Sequence, residues 1–314
     1  MNHDVNTPAS SPCYADQFNY FTGPERALDI ICLGRAAVDL YGDQIGSRLE
    51  DMGSFSKYLG GSSANIAYGC AQLGLKSSML TRVGDEHMGR FVREELARAG
   101  VDVSHVVTDR ERLTGLVILG IKDQETFPLI FYRRDCADMA VSPEDFDADY
   151  IASARALLIT GTHFSTENTY NTSLKAIEYA KAAGTQVIID IDYRPVLWGL
   201  TSLGDGETSF ISSAGVSSHL QTVLPHCDLI VGTEEEIHIA GGSTDTLTAL
   251  RKVRELTAAT IVLKLGPLGC TVLHDDIPAS TDDFVVHQGV RVDVLNVLGT
   301  GDAFHVRFPA WLAA

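Results

Sequence analysis

Apolar and polar positions alternate along this chain with two different periods. Short apolar runs typical of buried strands lie at 29–34, 156–159, 187–190, 229–231 and 261–264. Apolar residues at helical spacing predict amphipathic helices at 64–73, 91–99, 169–183 and 246–257. Apolar strands that alternate with helices are typical of a mostly parallel sheet covered on both faces. The pattern therefore predicts an α/β fold whose ligands bind at the carboxyl ends of the strands.

One region, residues 114–134, departs from this alternation. Two segments within it, 116–121 and 129–132, alternate apolar and polar residues on either side of a polar turn, which predicts a β-hairpin. Together with residues 39–58, the region from about 114 to 136 predicts a small β-sheet that forms a lid over a pocket.

The first residues of the chain differ from the rest. Residues 1–28 are rich in Asn, Ser, Pro and Asp and show no sustained period, so they predict a loosely ordered N-terminal extension. The folded domain is expected to span 29–314.

Composition and charge exclude several classes of function. Lys and Arg total 24 against 41 Asp and Glu, a net charge of −17, which argues against binding to nucleic acid or to an anionic membrane. No apolar run approaches the ~18 residues of a spanning helix, and no signal peptide is evident. The six cysteines are scattered without metal-ligand spacing, which predicts reduced thiols. We therefore expect a cytoplasmic protein, in which an anionic substrate would need a local basic pocket.

A glycine turn near the C-terminal end carries the most specific chemistry. Within residues 296–304, an apolar stretch gives way to Gly299-Thr300-Gly301-Asp302 and a predicted helix. The two glycines allow the backbone to approach a phosphate, and the free N–H groups of the helix start favour an anion. Asp302 could accept a proton from an attacking hydroxyl. Because the chain has no G-x-x-x-x-G-K-[ST] and no early G-x-G-x-x-G, this turn is the predicted phosphate site.

An earlier glycine pair also precedes a predicted helix. Gly60 and Gly61 would admit a polar ligand next to the backbone, and Asn65 would offer it both a donor and an acceptor. The alternative is a plain helix start, with Ser62 or Ser63 as its N-cap.

Two acids and an arginine follow the strand predicted at 187–190. Arg194 could bind a phosphate of a nucleotide, and Asp190 and Asp192 could organise Mg²⁺ through its water ligands. The alternative is a loop with a surface ion pair, which stabilises a protein by only about 0–1 kcal/mol.

The two remaining predicted strands are followed by further polar residues. Thr233 and Glu236 could join a nucleotide and magnesium site, or Glu236 could complement the dipole of a helix. Lys264, Gly266 and Gly269 could border the nucleotide phosphates, or form a simple β-turn.

The combination of these motifs resembles the PfkB (ribokinase-like) carbohydrate kinases over about residues 29–304. The motifs occur in the family's order: Gly60-Gly61-x-x-x-Asn65, Asp190-x-Asp192-x-Arg194-x-x-x-Trp198 and Gly299-x-Gly301-Asp302. The resemblance implies a three-layer α/β sandwich with a mostly parallel central sheet and a small β-sheet lid. It also implies ATP and Mg²⁺ as the cofactors.

The resemblance further implies roles for residues on the phosphate side. Asp302 would be the base that deprotonates the primary hydroxyl of the sugar, while Gly299, Thr300 and Gly301 would donate N–H groups to the transferring phosphoryl. Glu236 matches the acid of the family's magnesium-associated N-x-x-E motif, in which Thr233 here replaces the asparagine.

On the sugar side, the resemblance assigns Asp39, Gly61 and Asn65 to the positions that hold the substrate. Arg133 would be a lid arginine suited to a carboxylated sugar. Within the family, the motifs are most similar to those of kinases that convert 5-dehydro-2-deoxy-D-gluconate to its 6-phosphate in inositol catabolism. Kinases of 2-keto-3-deoxygluconate, ribose or fructose are the alternative. A homodimer through the exposed edge of the lid is also predicted.

The end of the chain departs from the family pattern. Relatives continue through further helices that help to form the adenine pocket, whereas here Pro309 interrupts the helix that begins at Gly301. One hypothesis is an active sugar-acid kinase. The other is a truncated, catalytically impaired relative that binds sugar but binds ATP weakly.

Overall fold

A computed structural model of the chain describes residues 25–123, 126–289, 299–304 and 306. These residues form two β-sheets of different size, and helices cover both faces of the larger one. Strands and helices alternate along most of the chain, as the hydrophobic pattern predicted. None of the helices within the described ranges is long and apolar enough to cross a membrane.

The larger sheet has nine strands in the described part of the chain. Numbered in chain order, they are β1 (Leu28–Leu33), β4 (Ser77–Gly84), β5 (Val106–Asp109), β8 (Ala154–Thr160), β9 (Gln186–Asp190), β10 (Leu229–Thr233), β11 (Thr260–Lys264), β12 (Cys270–Leu273) and β13 (Val286–His287). Their order is β13-β12-β11-β10-β9-β8-β1-β4-β5. All neighbours from β11 to β5 pair in parallel, whereas β12 and β13 are antiparallel. The predicted mostly parallel sheet is confirmed.

The helices bury a core on each face of this sheet. They are α1 (Ser62–Gln72), α2 (His87–Ala99), α3 (Ala148–Ala152), α4 (Glu167–Ala183), α5 (Ala214–Gln221), α6 (Glu234–Gly241) and α7 (Thr246–Leu256). Side chains alternate between the two faces of a strand. Ile31 and Leu33 of β1 therefore pack with α4 to α7, while Ile30 and Cys32 pack with α1 and α2. Burial on both faces explains why the strands are continuously apolar.

The smaller sheet contains the predicted hairpin. Its strands are β2 (Ala37–Gly42), β3 (Phe55–Gly60), β6 (Gly115–Leu119) and β7 (Leu129–Tyr132), in the order β3-β2-β6-β7. Antiparallel pairing of β6 with β7 confirms the hairpin. Val117 and Phe131 of this sheet pack against Val196, which lies in the segment that follows β9. The small sheet thus lies over the carboxyl end of a large-sheet strand, and its action as a lid stays a prediction.

The residues just before β1 are held against the domain. Arg26 donates through Nη2 to the carbonyl of Ala183 at the end of α4, and through Nη1 to that of Ala154, both at 2.7 Å. The strand itself begins at Leu28, so the boundary predicted at residue 28 falls inside β1. The earlier part of the predicted extension lies outside the described residues. The five cysteines in the described ranges are free thiols.

Candidate active site

The carboxyl ends of the central parallel strands line one cleft. Arg35, Thr162 and Asp192 each lie two residues beyond the end of a strand, after β1, β8 and β9 respectively. Thr233 and Lys264 are the last residues of β10 and β11. With the underside of the small sheet, this edge bounds a cavity of about 1150 Å³, and the lining includes all of these residues except Thr162.

The predicted base lies in this cavity on a short helical segment. Residues 300–304 and 306 are helical, and Asp302 Oδ2 accepts a hydrogen bond of 2.8 Å from Nδ2 of Asn65 on α1. One turn further along both helices, Val306 packs so closely on Gly69 that a Cβ at Gly69 would lie 2.3 Å from its Cγ2. These two contacts fix the helical segment, and therefore Asp302, relative to α1.

The environment of Asp302 tunes its acidity. Burial raises the pKa of this carboxyl to about 7, and the negative charge of Asp192 adds to the effect. The hydrogen bond from Asn65 and the charge of Arg35 act in the opposite direction. A carboxyl with a pKa near the operating pH is suited to accept a proton during a reaction.

The glycine turn before Asp302 is exposed to the same cavity. Gly299 has φ 73°, in the left-handed region that favours glycine. Gly299, Thr300 and Gly301 all line the cavity, and a Cβ at Gly301 would lie 3.4 Å from Nζ of Lys264. A cation beside the N–H groups at the start of a helix makes this turn suited to an anion. Residues 296–298 of the motif lie outside the described residues.

Lys264 lies between two acids at the end of β11. Its Nζ is 3.5 Å from Asp190 Oδ1 and 3.5 Å from Glu236 Oε2. Burial lowers the pKa of Lys264, but the charges of these carboxylates outweigh burial and raise it. The lysine is therefore a fixed cation, as a phosphate contact requires.

The structure shows Thr233 and Glu236 at the start of a helix, and their role in a nucleotide and magnesium site stays a prediction. Their side chains form a reciprocal capping box at the start of α6, in which Glu236 Oε2 accepts from the Thr233 amide at 2.6 Å. Both residues also line the cavity. Glu236 thus caps its helix and still presents a carboxylate to Lys264.

A buried network that the sequence did not reveal surrounds Asp192. Its Oδ2 accepts hydrogen bonds from Arg35 at 2.7 Å, Ser62 at 2.7 Å and Thr162 at 2.9 Å. Asp192 has φ 34°, a conformation that is rare for residues other than glycine and often marks functional sites. Arg35 was missed, although its place just after an apolar strand was a usable signal. Arg194, predicted to bind phosphate, is 3.8 Å from Asp192 Oδ1, with its side chain 39% exposed.

Of the early glycine pair, Gly61 lines the cavity, whereas Gly60 is not among the described residues of its lining. A Cβ at Gly60 would lie 2.1 Å from Oδ1 of Asp39, and one at Gly61 would lie 2.6 Å from the carbonyl of Arg35. Gly61, with φ 91°, is the N-cap of α1, so the alternative prediction of Ser62 or Ser63 as N-cap is wrong. Burial raises the pKa of Asp39 to about 6, against the charges of Arg35 and Arg133.

Arg133 also lines the cavity, but from a buried position. Its side chain is 1% exposed, and Nη2 forms an ion pair with Asp138, which is fully buried. A Cβ at Gly115 would lie 2.3 Å from Nη1 of Arg133, so the glycine makes room for the guanidinium group.

Two of the predicted nucleotide contacts are not in the cavity lining formed by the described residues. Gly266 begins a short 3-10 turn, and Gly269, with φ 105°, packs tightly on the backbone of His287. Both glycines therefore serve the β11 to β12 turn, and their contact with a nucleotide stays a prediction.

Comparisons with known proteins show which family the chain resembles. The profile of the pfkB family carbohydrate kinases matches residues 27–314. A 5-dehydro-2-deoxygluconokinase from Geobacillus kaustophilus (strain HTA426) is 33% identical over 289 residues, which cover 90% of this chain and 81% of that protein.

Solved structures share the fold. The PfkB protein from Polaromonas sp. JS666 is 28% identical, with a TM-score of 0.73 over 90% of this chain and 88% of that one. A putative ribokinase II from E. coli, in complex with ATP and Mg²⁺, has a TM-score of 0.76 at 19% identity, over 90% and 85% of the two chains. The predicted ribokinase-like fold is confirmed. Because the family profile covers nearly the whole described domain, and a relative above 30% identity spans most of it, this chain belongs to the pfkB family of carbohydrate kinases, enzymes that phosphorylate sugars.

Proposed function

We propose that this protein transfers the γ-phosphoryl group of ATP to the primary hydroxyl of a sugar acid, with 5-dehydro-2-deoxy-D-gluconate as the expected acceptor and its 6-phosphate as the product. The observation that carries the proposal is the placement of Asp302. This carboxylate is held by Asn65 at the mouth of a glycine turn, with its pKa raised to about 7. The acceptor is inferred from the name of the Geobacillus relative and from the arginines in the cleft.

In the proposed reaction, unprotonated Asp302 takes the proton of the hydroxyl as its oxygen bonds to the γ-phosphorus. The bond from that phosphorus to the bridging oxygen breaks, and ADP leaves. The backbone N–H groups of Gly299, Thr300 and Gly301, together with Lys264, would stabilise the charge on the transferring group. Such positioning and charge stabilisation supply most of the catalysis in phosphoryl transfer.

Mg²⁺ is implied by this reaction. The acids of the cleft suit an ion that they contact through its water ligands. No group of three or more His, Cys, Asp or Glu side chains in the described ranges is arranged to hold a metal ion. Asp190 and Glu236 both lie 3.5 Å from Lys264. These carboxylates suit an ion that is bound mainly by nucleotide phosphates and water, as Mg²⁺ usually is. When bound, the ion would neutralise phosphate charge, and Asp190 and Glu236 would hold its water ligands.

Asp192 is less suited to this task than was predicted. Its Oδ2 already accepts three hydrogen bonds, and Oδ1 faces Arg194 at 3.8 Å. We assign to Asp192 the task of holding Arg35 in position. It would act on the metal ion only through its negative charge.

The Asp302→Asn variant tests the proposed base. Asparagine retains the shape of the side chain and an oxygen that can accept from Asn65, but it cannot take a proton. We expect kcat to fall by about 10² to 10⁴, with little change in KM for the sugar acid. Steady-state kinetics would measure this, with thermal unfolding as the check on folding. Unchanged turnover would refute the assignment of the base.

A screen of acceptors tests the substrate. The purified protein would be offered 5-dehydro-2-deoxy-D-gluconate, 2-keto-3-deoxygluconate, ribose and fructose with ATP and Mg²⁺, and the phosphate of the product would be located by NMR. We expect the highest kcat/KM with the first acid, because the cleft holds two buried arginines. A clear preference for a neutral sugar would refute the sugar-acid assignment and favour the alternative acceptors.

Titration with an ATP analogue separates an active kinase from an impaired sugar binder. A ligand that binds only the folded state at 100 times its Kd stabilises a protein by about 2.7 kcal/mol. We expect both the analogue with Mg²⁺ and the sugar acid to raise the unfolding temperature. Stabilisation by the sugar acid alone would favour the impaired relative. Residues 307–314, on which that hypothesis rests, lie outside the described residues.

We also propose that two copies associate through the small sheet. Strands β3 and β7 are its edges in the described part of the chain. They expose large side chains: Tyr58 on β3 is 54% exposed and Tyr132 on β7 is 55% exposed. Unpaired strand edges with exposed apolar groups favour pairing with another chain.

A further inference from the structure

Three arginines line the cleft, and two of them, Arg35 and Arg133, are almost completely buried. The side chain of Arg35 is 9% exposed, and that of Arg133 is 1% exposed. A buried guanidinium group requires a partner of opposite charge, because removal from water disfavours the cation. Asp192 serves Arg35 and Asp138 serves Arg133, so each positive charge is held in a defined place.

Each arginine uses only part of its hydrogen-bonding capacity. Arg35 donates through Nη2 alone, to Ser62 at 2.9 Å and to Asp192 at 2.7 Å. Arg133 donates through Nη2 to Asp138. Among the described residues, Nε of Arg35 and both Nε and Nη1 of Arg133 are buried without a hydrogen-bond partner. A guanidinium group has five N–H donors, so both groups retain donors for a ligand.

The two groups belong to one connected unit. Asp138 Oδ2, which binds Arg133, also accepts from the backbone amide of Ala36 at 3.1 Å. Ala36 follows Arg35 directly, so one carboxylate holds both arginine segments. Both charges also act on the carboxyl of Asp39 and lower its pKa against the effect of burial, which places both arginines near the predicted sugar-binding acid.

Charge restricts where an anionic group of the substrate could bind in this cleft. Asp39, Asp190, Asp192, Glu236 and Asp302 all line it. Lys264 is already flanked by two of these acids, and the half-exposed Arg194 lies 3.8 Å from Asp192. A carboxylate would be repelled over most of the cavity, whereas the unused N–H donors of Arg35 and Arg133 match it in charge and geometry.

We propose that Arg35 and Arg133 together bind the carboxylate of the substrate, and that Arg35 is a specificity-determining residue by which this kinase selects sugar acids over neutral sugars. The inference rests on the proposed function and adds a residue to it. A neutral sugar would leave the donors of both arginines buried and unpaired, which disfavours its binding. Arg35 would thus contribute both attraction to the acid and discrimination against its neutral analogue.

The test compares 5-dehydro-2-deoxy-D-gluconate with its carboxamide, in which only the charge is removed. Arg35→Met keeps the length of the side chain without the guanidinium group. We expect the preference for the acid, the ratio of kcat/KM for the acid to kcat/KM for the carboxamide, to fall on the order of 10²-fold. A general disturbance of the site would lower both values and leave this ratio unchanged. Arg48→Met is the matched control, because Arg48 is an exposed arginine that pairs with Asp51 and does not line the cavity formed by the described residues.

The outcomes separate this inference from the proposed function. An equal loss on the acid and the carboxamide would mean that Arg35 only positions Asp192, and the inference would be overturned. If the wild-type protein phosphorylates a neutral sugar but not the acid, the proposed function itself fails.

If Arg35→Met does not fold, Gly115→Ala provides an independent test. A Cβ at Gly115 would lie 2.3 Å from Nη1 of Arg133, so it displaces the second guanidinium group while the guanidinium group of Arg35 is retained. Selective loss of activity on the acid would support the inference that the two arginines bind its carboxylate. An unchanged preference for the acid would overturn that inference. In the wild-type protein, equal kcat/KM for the acid and its carboxamide would overturn the inference without any variant.

Discussion

At the residue scale, the cleft holds two carboxyl groups with pKa values displaced toward neutrality. Burial raises the pKa of Asp302 to about 7 and that of Asp39 to about 6. The two carboxyl groups differ in the charges that surround them. Asp192 adds to the shift at Asp302, whereas Arg35 and Arg133 oppose it at Asp39. The two acids are thereby separated into a stronger and a weaker base within one site.

These pKa values predict the pH dependence of the kinase. Asp302 acts as a base only when it is deprotonated, so we expect kcat/KM to rise with pH up to about 7 and to level off above it. Below that value the rate should fall about tenfold per pH unit, and more steeply below about 6, where Asp39 is also protonated. A pH profile of kcat/KM between about 5.5 and 9 would check this. The residual activity of Asp302→Asn should lack the upper of the two transitions, and a flat wild-type profile across neutrality would contradict the prediction.

Gly60 sets the position of Asp39 through the absence of a side chain. In Gly60→Ala the Cβ would lie 2.1 Å from Oδ1 of Asp39, so the carboxylate must move. We expect KM for the sugar acid to rise by about 10- to 100-fold and stability to fall by about 1–3 kcal/mol. Kinetics and urea unfolding would measure both effects. Gly53→Ala is the matched control, since a Cβ there meets no atom within 4 Å, and equal KM in both variants would count against the assigned role of Asp39.

At the element scale, we expect catalysis to depend on how the helical segment that contains Asp302 and Val306 docks on α1. Asn65 and Gly69 on α1 are four residues apart, and so are their partners Asp302 and Val306. Residues at this spacing lie on one face of a helix. One contact is polar and holds the base directly, while the other is apolar and sets the distance between the two helices.

Gly69→Ala is expected to reduce catalysis without a change in any group that touches the substrate. The added Cβ would lie 2.3 Å from Cγ2 of Val306, and a valine side chain cannot readily rotate away. The segment would shift and displace Asp302, so we expect kcat to fall by about 10- to 100-fold. Single-turnover kinetics would measure the chemical step.

Two controls accompany this variant. The double variant Gly69→Ala/Val306→Ala should recover much of the lost turnover, because the second change restores the space. Gly215→Ala, in α5, should leave kcat unchanged, since the nearest atom to its Cβ would be 3.9 Å away. Failure of the double variant to recover would show that docking through Val306 does not position the base.

At the scale of the whole molecule, the cleft lies between two sheets that are built differently. The larger sheet is mostly parallel and is covered by helices on both faces. The smaller sheet packs through Val117 and Phe131 against Val196, and through Val38 against the core beneath α1 and α2. Its edges, β3 and β7, are unpaired within the described residues. A second copy of the chain could extend this sheet and cover the exposed tyrosines.

We therefore expect the protein to sediment as a dimer. Tyr132→Lys places a charge on the exposed edge of β7, where desolvation of the lysine would oppose pairing, and should shift the protein to a monomer. Sedimentation velocity over a range of concentrations would measure this. Lys175→Ala, on α4 far along the chain from the small sheet, should not alter the association. A wild-type protein that remains a monomer at high concentration would contradict the proposal.

The hydrophobic pattern alone determined most of the fold. The strands that end at Leu33, Thr160, Asp190 and Lys264 are buried on both faces, and so they carry continuous apolar runs that can be recognised locally. The hairpin of β6 and β7 was likewise predicted from its period of two. The N-cap of α1 was not predicted correctly. Glycine and serine are both common before a helix, and only the φ of Gly61 shows which residue is the N-cap.

In the candidate site, too, some features could be predicted from the sequence and others could not. Local motifs were sufficient to predict Asp302 with its glycine turn, and to predict Asn65 and Glu236, because each lies in a recognisable short pattern. The hydrogen bond between Asn65 and Asp302 joins residues 237 positions apart, and that between Arg35 and Asp192 joins residues 157 apart. Such partners meet only because the parallel order brings distant strand ends to one edge of the sheet.

The sequence by itself thus determined the fold, the types of reactive group and the family. Only the tertiary structure decided which groups are neighbours, and therefore which charges are neutralised and which remain available. Arg35 and Arg133 show why this matters. The sequence indicated Arg133 only through a family resemblance and did not indicate Arg35, whereas in the fold each is anchored by a buried acid and retains N–H donors without a partner among the described residues. Acidity, pairing and desolvation depend on atoms within a few ångströms in space, and the positions of those atoms are set by packing between elements that are distant in the chain.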